Sequence, residues 1–216
     1  YIGVLIDDLI TKGTEEPYRM FTSRAEFRLL LRQDNADIRL TKKGYDLGLA
    51  SEKRMNKLID KKNETKKLIT FLKKESVTLK TINPILKKNS SKPLIQKVKF
   101  KSILARPHIT INHLASIKEI SDYLSTEKIS KNAMEQAEIE IKYEGYLNKE
   151  RKSAEKLSRL ENIKIPIDLN FEKLHSISTE GREKLSAIQP STIGQASRIS
   201  GVSPSDINVL LIYLGR

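Results

Sequence analysis

Cysteine and tryptophan are absent from the 216 residues, and aromatic residues make up only 6% of them. Without thiols the chain forms no disulfide, offers no thiolate nucleophile and has no cysteine metal site. That fits a reducing compartment, and a cytoplasmic location is the expectation. So few aromatics argue against a broad base-stacking platform. No apolar run approaches the roughly 20 residues that span a bilayer, so no membrane partner is expected. Glycine is sparse, with 9 residues, and no G-x-G-x-x-G follows a strand, so no dinucleotide-binding fingerprint is present. His108 and His113 lie five apart with no matching acid or thiol, which argues against a metal centre.

Positive charge is abundant instead. The chain carries +13, and residues 51–100 hold 15 Lys or Arg against 4 Asp or Glu. Such a block steers a polyanion at long range and supplies salt-dependent phosphate contacts. A second explanation is compositional, because Lys, Ile and Asn are favoured throughout.

A hydrophobic fraction of 38% is low but compatible with packed helices. Residues 1–12 read as a short helix stopped at Gly13, and its Asp7-Asp8 pair reads as structural, pairing with Arg19 or Arg24. Arg24, Arg28 and Arg32 recur every four positions, which on a helix places three guanidiniums on one face. Phe27, Leu30 and Leu31 then form a buried stripe, and Ser23 with Glu26 has the spacing of a capping box. Arginines so arranged hold phosphates bidentately. Equally, they pair with Glu26, Asp34 and Asp37 on a solvated face. Thr41 reads as the cap of another short helix.

Ser51 caps a long amphipathic helix to residue 75, its apolar stripe including Met55, Leu58, Leu68 and Leu72. Lysines fill its other side, and Lys61, Lys62, Lys66 and Lys67 are candidates for nonspecific RNA backbone contact. Pro84, Pro93 and Asn89-Ser90-Ser91 mark residues 77–106 as loop-rich with short helices. Residues 131–160 read as one helix, with Tyr143 and Tyr146 expected at the edge of the core and base stacking as the alternative. Ser178 opens a helix to Ile188, 192–200 form a short one, and Ser203-Pro204 start the last.

The runs from Tyr1 to Thr41, Ile141-Lys142-Tyr143-Glu144-Gly145-Tyr146, and Gln189 to Pro204 together resemble the MnmG (GidA) family of tRNA-modifying enzymes. Leu104-Ala105-Arg106-Pro107 also resembles a family motif. The resemblance implies the C-terminal part of such an enzyme, without its flavin-binding domain. It implies FAD with NADH in the full-length enzyme and none in this fragment, which alone is expected to be inactive. It further implies tRNA as substrate, the GTPase MnmE as partner and a homodimer at full length. Arg19, Arg24, Arg28 and Arg32 would then support tRNA phosphates or the active site. Partner docking would fall on Gly194, Gln195, Ala196, Arg198, Ile199 and Gly201, although Gly194, Ala196 and Gly201 are equally explained as small residues for helix packing. No residue is assigned as catalytic.

The same C-terminal residues resemble a helix-turn-helix, so a nucleic-acid-binding or adaptor protein is the alternative. Against it, residues 205–213 hold no Lys or Arg. The expected fold is all-α, an elongated helical domain ending in a small C-terminal bundle. Its expected parts are residues 1–50 completing the body of the flavin enzyme, 51–130 as a lysine-rich region and 131–216 as the partner-binding domain.

Overall fold

The computed structural model describes residues 2–11, 17–19, 21, 25, 27–161 and 163–215, leaving aside the side chains of Asp7, Thr11, Lys156, Leu157 and Glu161. The fold is all-α. Its helices are α1 (Ile2–Thr11), α2 (Ala36–Asp46), α3 (Glu52–Lys74), α4 (Leu79–Lys88), α5 (Phe100–Leu104), α6 (Ile111–Ala115) and α7 (Lys118–Thr126), then α8 (Lys131–Glu161), α9 (Thr179–Ile188), α10 (Ile193–Arg198) and α11 (Pro204–Tyr213). Among the described residues the only strands are β1 (Ser76–Val77) and β2 (Val98–Lys99), paired antiparallel with Ser76 opposite Lys99.

Two compact units divide the chain, one of residues 29–148 and one of residues 1–28 with 149–216. The division falls within α8, which runs unbroken through 31 residues. On the two sides of residue 50, Lys61 on α3 binds Asp37 on α2 at 2.9 Å.

In the 29–148 unit, Ser51 caps α3 as its sequence predicts, its side chain accepting from the Arg54 N–H. Leu68 and Leu72 of α3 meet Ile82 and Leu86 of α4, Phe100 and Ile103 of α5, Leu114 of α6, and Ala137 and Ile141 of α8. Burying each large aliphatic side chain stabilises by about 1.5–3 kcal/mol. Phe71 stacks on Tyr123 with ring centroids 3.9 Å apart. Polar side chains close the irregular segments. Asn83 donates to the Leu94 carbonyl and accepts from the Leu94 N–H, doing for a loop what a strand partner does. Arg106 holds the same loop through Ser91 and the Lys92 carbonyl. His113 accepts from the Thr110 N–H and completes the capping box of α6.

Thr41 is not a cap: it lies buried inside α2, which begins earlier, at Ala36. The expected helix through Arg24, Arg28 and Arg32 is also corrected. Phe27 has φ 55°, in the left-handed region where side-chain-bearing residues are strained, and residues 27–35 run as turns and bends. The capping pair Ser23 and Glu26 lies outside the described residues. In α1, Asp8 is 5% exposed and accepts from the Tyr18 hydroxyl at 2.7 Å.

The C-terminal residues build a second core from Ile165, Phe171, Ile177, Leu185, Ile193, Ala196, Ile207 and Leu210. A single bridge pairs Lys164 with Thr192 beside it. Asp206, 3% exposed, serves two helix starts at once. Its carboxylate accepts from the Ser178 N–H at 2.8 Å and hydroxyl at 3.1 Å, at the start of α9. It also accepts from the Ser203 N–H at 2.8 Å and hydroxyl at 2.7 Å, at the start of α11. A Cβ on Gly181 would stand 2.8 Å from Ser178 Oγ and 3.0 Å from Asp206 Oδ2, so this knot leaves no room for a side chain there.

Burial alone raises the Asp206 pKa, but the four hydrogen bonds outweigh it and hold the carboxyl below its usual range. A folded-state pKa below the unfolded value gives stability that is present above the unfolded pKa and lost as pH falls through the folded one. Asp206→Asn is therefore expected to cost about 2–4 kcal/mol at neutral pH, with the gap to wild type narrowing below about pH 4. Urea unfolding at several pH values measures it, and a gap independent of pH would contradict the assignment.

Candidate nucleic-acid interface

Helix α3 divides its lysines by where the chain folds back on it. Lys61, with its side chain 15% exposed, is held by the Asp37 carboxylate and by the Asp34 carbonyl at 3.1 Å. Lys67 donates to Glu127 at 2.6 Å, and that hydrogen bond raises its pKa. Both act within the fold. Lys62 and Lys66, one turn apart, are exposed and have no acidic partner among the described residues.

These two border a cleft of about 360 Å³ together with Thr65, Thr70, Lys73 and Glu140. Lys73, seven positions beyond Lys66, completes the row and was not among the lysines singled out from sequence. The i+7 spacing already placed it on that face. Lys73 reaches Glu144 at 3.7 Å, which Lys101 also holds at 2.6 Å. The Lys101 hydrogen bond leads in lowering the Glu144 pKa, against the opposing effect of burial. The Thr65 hydroxyl is buried and has no hydrogen-bond partner among the described residues.

Among the described residues, Arg28 and Arg32 do not share a helix face. Arg28 is exposed within a turn. Arg32 is half-buried and grips Asp34 with two parallel bonds, at 2.9 and 3.0 Å, while donating to the Leu29 carbonyl. That is the pairing open as an alternative from sequence, and it consumes the fork a phosphate would take. Arg19 is exposed and lies over the Phe21 ring, 5.1 Å from its centroid. Arg24 lies outside the described residues.

Of the C-terminal candidates, Gly194, Ala196 and Ile199 are buried, Ala196 fully, whereas Gln195, Arg198 and Gly201 are half-buried. The Gln195 side chain accepts from Ser191. Gly201 has φ 94°, a conformation side-chain-bearing residues rarely adopt, in the turn between α10 and α11. The large apolar side chains that α11 exposes stand at its far end, Ile212 at 76% and Tyr213 at 60%.

Comparison with known proteins places this architecture. Residues 52–151 match the family model described as the tRNA modifying enzyme MnmG/GidA C-terminal helical domain, and residues 153–216 match its C-terminal helical bundle. The chain belongs to the MnmG/GidA family. Relatives named tRNA uridine 5-carboxymethylaminomethyl modification enzyme MnmG include that of Christiangramia forsetii, 54% identical over 216 residues. Another, from Alkaliphilus metalliredigens, is 50% identical over 214 residues. The alignments cover 100% and 99% of this chain but 35% and 33% of those proteins, so the chain spans about a third of their length. The crystal structure of Aquifex aeolicus GidA (form II) covers all of this chain and 33% of its own, with 39% identity and a TM-score of 0.71. The two matched MnmG regions meet close to the division between compact units inside α8.

Lys61→Ala is expected to lower stability by about 1–3 kcal/mol, because it strips a half-buried carboxylate and a carbonyl of their donor. Lys62→Ala is expected to change stability by less than about 0.5 kcal/mol. Parallel thermal melts of the two variants measure the contrast, and equal melting shifts would refute the division of the lysines.

Proposed function

We propose that this chain is the tRNA-binding and partner-docking portion of an MnmG-type enzyme, working in the cytoplasm. One observation carries the reading: the open lysine cleft of Lys62, Lys66 and Lys73 on a block of 50 residues with a net charge of +11. Lys62 and Lys66, left without acidic partners among the described residues, are suited to exchange counterions for RNA phosphates, and Lys73 reaches its Glu144 only at 3.7 Å. The relatives' names, which specify a tRNA uridine modification, support RNA as the polyanion. In the complete enzyme, the resemblance assigns FAD, NADH and a folate-derived one-carbon unit to building an aminomethyl-type group on C5 of the wobble uridine. It also implies a homodimer.

The described residues do not fit a flavin. The short strand β2 runs straight into α5 through Lys99 and Phe100, with no glycine loop to admit a pyrophosphate. Among the described residues, no helix is long and apolar enough to cross a membrane, and no three His, Cys, Asp or Glu gather as a metal site.

Two of the expected anchors are reassigned within the reading. Lys61 and Lys67 position α3, leaving the phosphate contacts to Lys62, Lys66 and Lys73, with exposed Arg19 and Arg28 as further candidates. For the GTPase partner MnmE, the burial of Gly194, Ala196 and Ile199 favours a supporting role, and the exposed Ile212 and Tyr213 are the docking candidates. The helix-turn-helix alternative keeps its turn at Gly201 but gains no readout: α11 turns Ile207 and Leu210 inward and carries no Lys or Arg.

Binding of tRNA is expected to weaken steeply with salt. Lys62→Ala with Lys66→Ala is expected to cut affinity several-fold and to reduce the salt slope by about one for each phosphate no longer neutralised. Titrations at several salt concentrations read this, with duplex DNA as competitor. Preference for the DNA would favour the helix-turn-helix alternative. In a pulldown, Ile212→Asp with Tyr213→Asp is expected to abolish MnmE capture without unfolding the bundle; capture unchanged by both would remove that docking surface.

A further inference from the structure

Helix α8 holds two tyrosines one turn apart that do not pack into the core. Tyr143 is 43% exposed and Tyr146 is 66% exposed, more than the core-edge reading of the sequence leads one to expect. Their ring centroids stand 6.5 Å apart with the planes inclined at 54°. Exposing two large rings side by side leaves apolar surface in water that most helices bury.

Between them sits Gly145. A Cβ there would meet no atom within 4 Å, so packing among the described residues does not require glycine. Glycine also weakens a helix interior. The bare backbone leaves open the approach to both rings.

The surroundings select what approaches. Glu144, next to the tyrosines, is neutralised by Lys101 and Lys73. Glu138 is likewise covered by Lys142 at 2.8 Å. Three lysines thus surround two carboxylates. Lys73 belongs as well to the cleft of Lys62 and Lys66, and Glu140 of α8 lines that cleft one turn before Tyr143. Along α8, Tyr143 is thus one turn from a residue that lines the cationic cleft, and Tyr146 one turn further.

We propose that Tyr143 and Tyr146 stack an unpaired base of the RNA whose backbone follows the Lys62–Lys66–Lys73 row. The proposal rests on the tRNA reading above and names the part of the RNA this face receives. Bases in a duplex present no free face, whereas a loop nucleotide does. Stacking on an aromatic side chain needs only a π-face, so this contact is indifferent to base identity. A ring pair beside a phosphate track is the pairing of features that single-stranded RNA uses.

The absence of tryptophan makes the test direct, because Tyr146→Trp carries the only indole in this chain. Titration with unfractionated tRNA is expected to quench its emission, and an RNA duplex without unpaired bases is expected to quench it far less. Tyr146→Leu is expected to weaken tRNA binding about tenfold while Tyr146→Phe retains it. Gly145→Gln, which adds a side chain to open space, is expected to weaken binding several-fold with the helical circular dichroism unchanged. Tight tRNA binding with unaltered indole emission and unaltered Tyr146→Leu affinity would overturn the proposal while leaving the tRNA reading intact. An indole already shielded before RNA is added would also overturn it, by showing that protein covers the pair. Failure of the unsubstituted chain to bind tRNA would overturn both.

Discussion

Helix α3 has to satisfy a core and a solvent face with one run of residues, and the arrangement of the 29–148 unit follows from how it does so. Leu68 and Leu72 commit one side to the apolar centre. That fixes which lysines face outward. The chain then draws Lys61 to Asp37 and Lys67 to Glu127, and these pairs orient α2 and the end of α7 on the helix. Lys62 and Lys66 fall between these contacts and remain exposed. A surface ion pair contributes little on its own. Here its greater effect is to remove a cation from the set available to a ligand.

The C-terminal residues solve a different problem. Their helices are short, and short helices are marginal without caps and packing. Ser178, Thr192 and Ser203 each accept from an amide in the first turn of the helix that follows. Asp206 then joins two of those starts. Small residues in this region follow from such closeness. Gly181 yields to the Ser178–Asp206 contact, and a Cβ on Gly201 would stand 2.5 Å from Glu180 Oε1. Sequence alone left Gly194, Ala196 and Gly201 open between packing and docking. Burial of the first two favours packing.

Much of the helical architecture was legible because its signals are local. Ser51, Ser178 and Ser203-Pro204 each announced a helix that begins where the cap lies. The long α8 showed as an uninterrupted pattern. The turn at 27–35 was not legible, since the spacing of Arg24, Arg28 and Arg32 mimics a helix while the left-handed Phe27 breaks it. The site was legible as a charge excess but not as a cleft. Which lysine is occupied depends on Asp37 and Glu127, 24 and 60 residues from Lys61 and Lys67. The tyrosines of α8 stayed open between the core edge and base stacking for a related reason: an i, i+3 pair marks a face without saying whether anything covers it.

The carboxylate of Asp206 has a consequence for how the bundle opens. It is the acceptor for the Ser178 and Ser203 amides together, so neither helix start comes loose without stripping a buried anion of part of its solvation. Residues 25 apart in the chain are thereby joined in one cooperative unit. Their amide protons should exchange with solvent at a common rate, set by the opening of the whole knot rather than by the fraying of either helix.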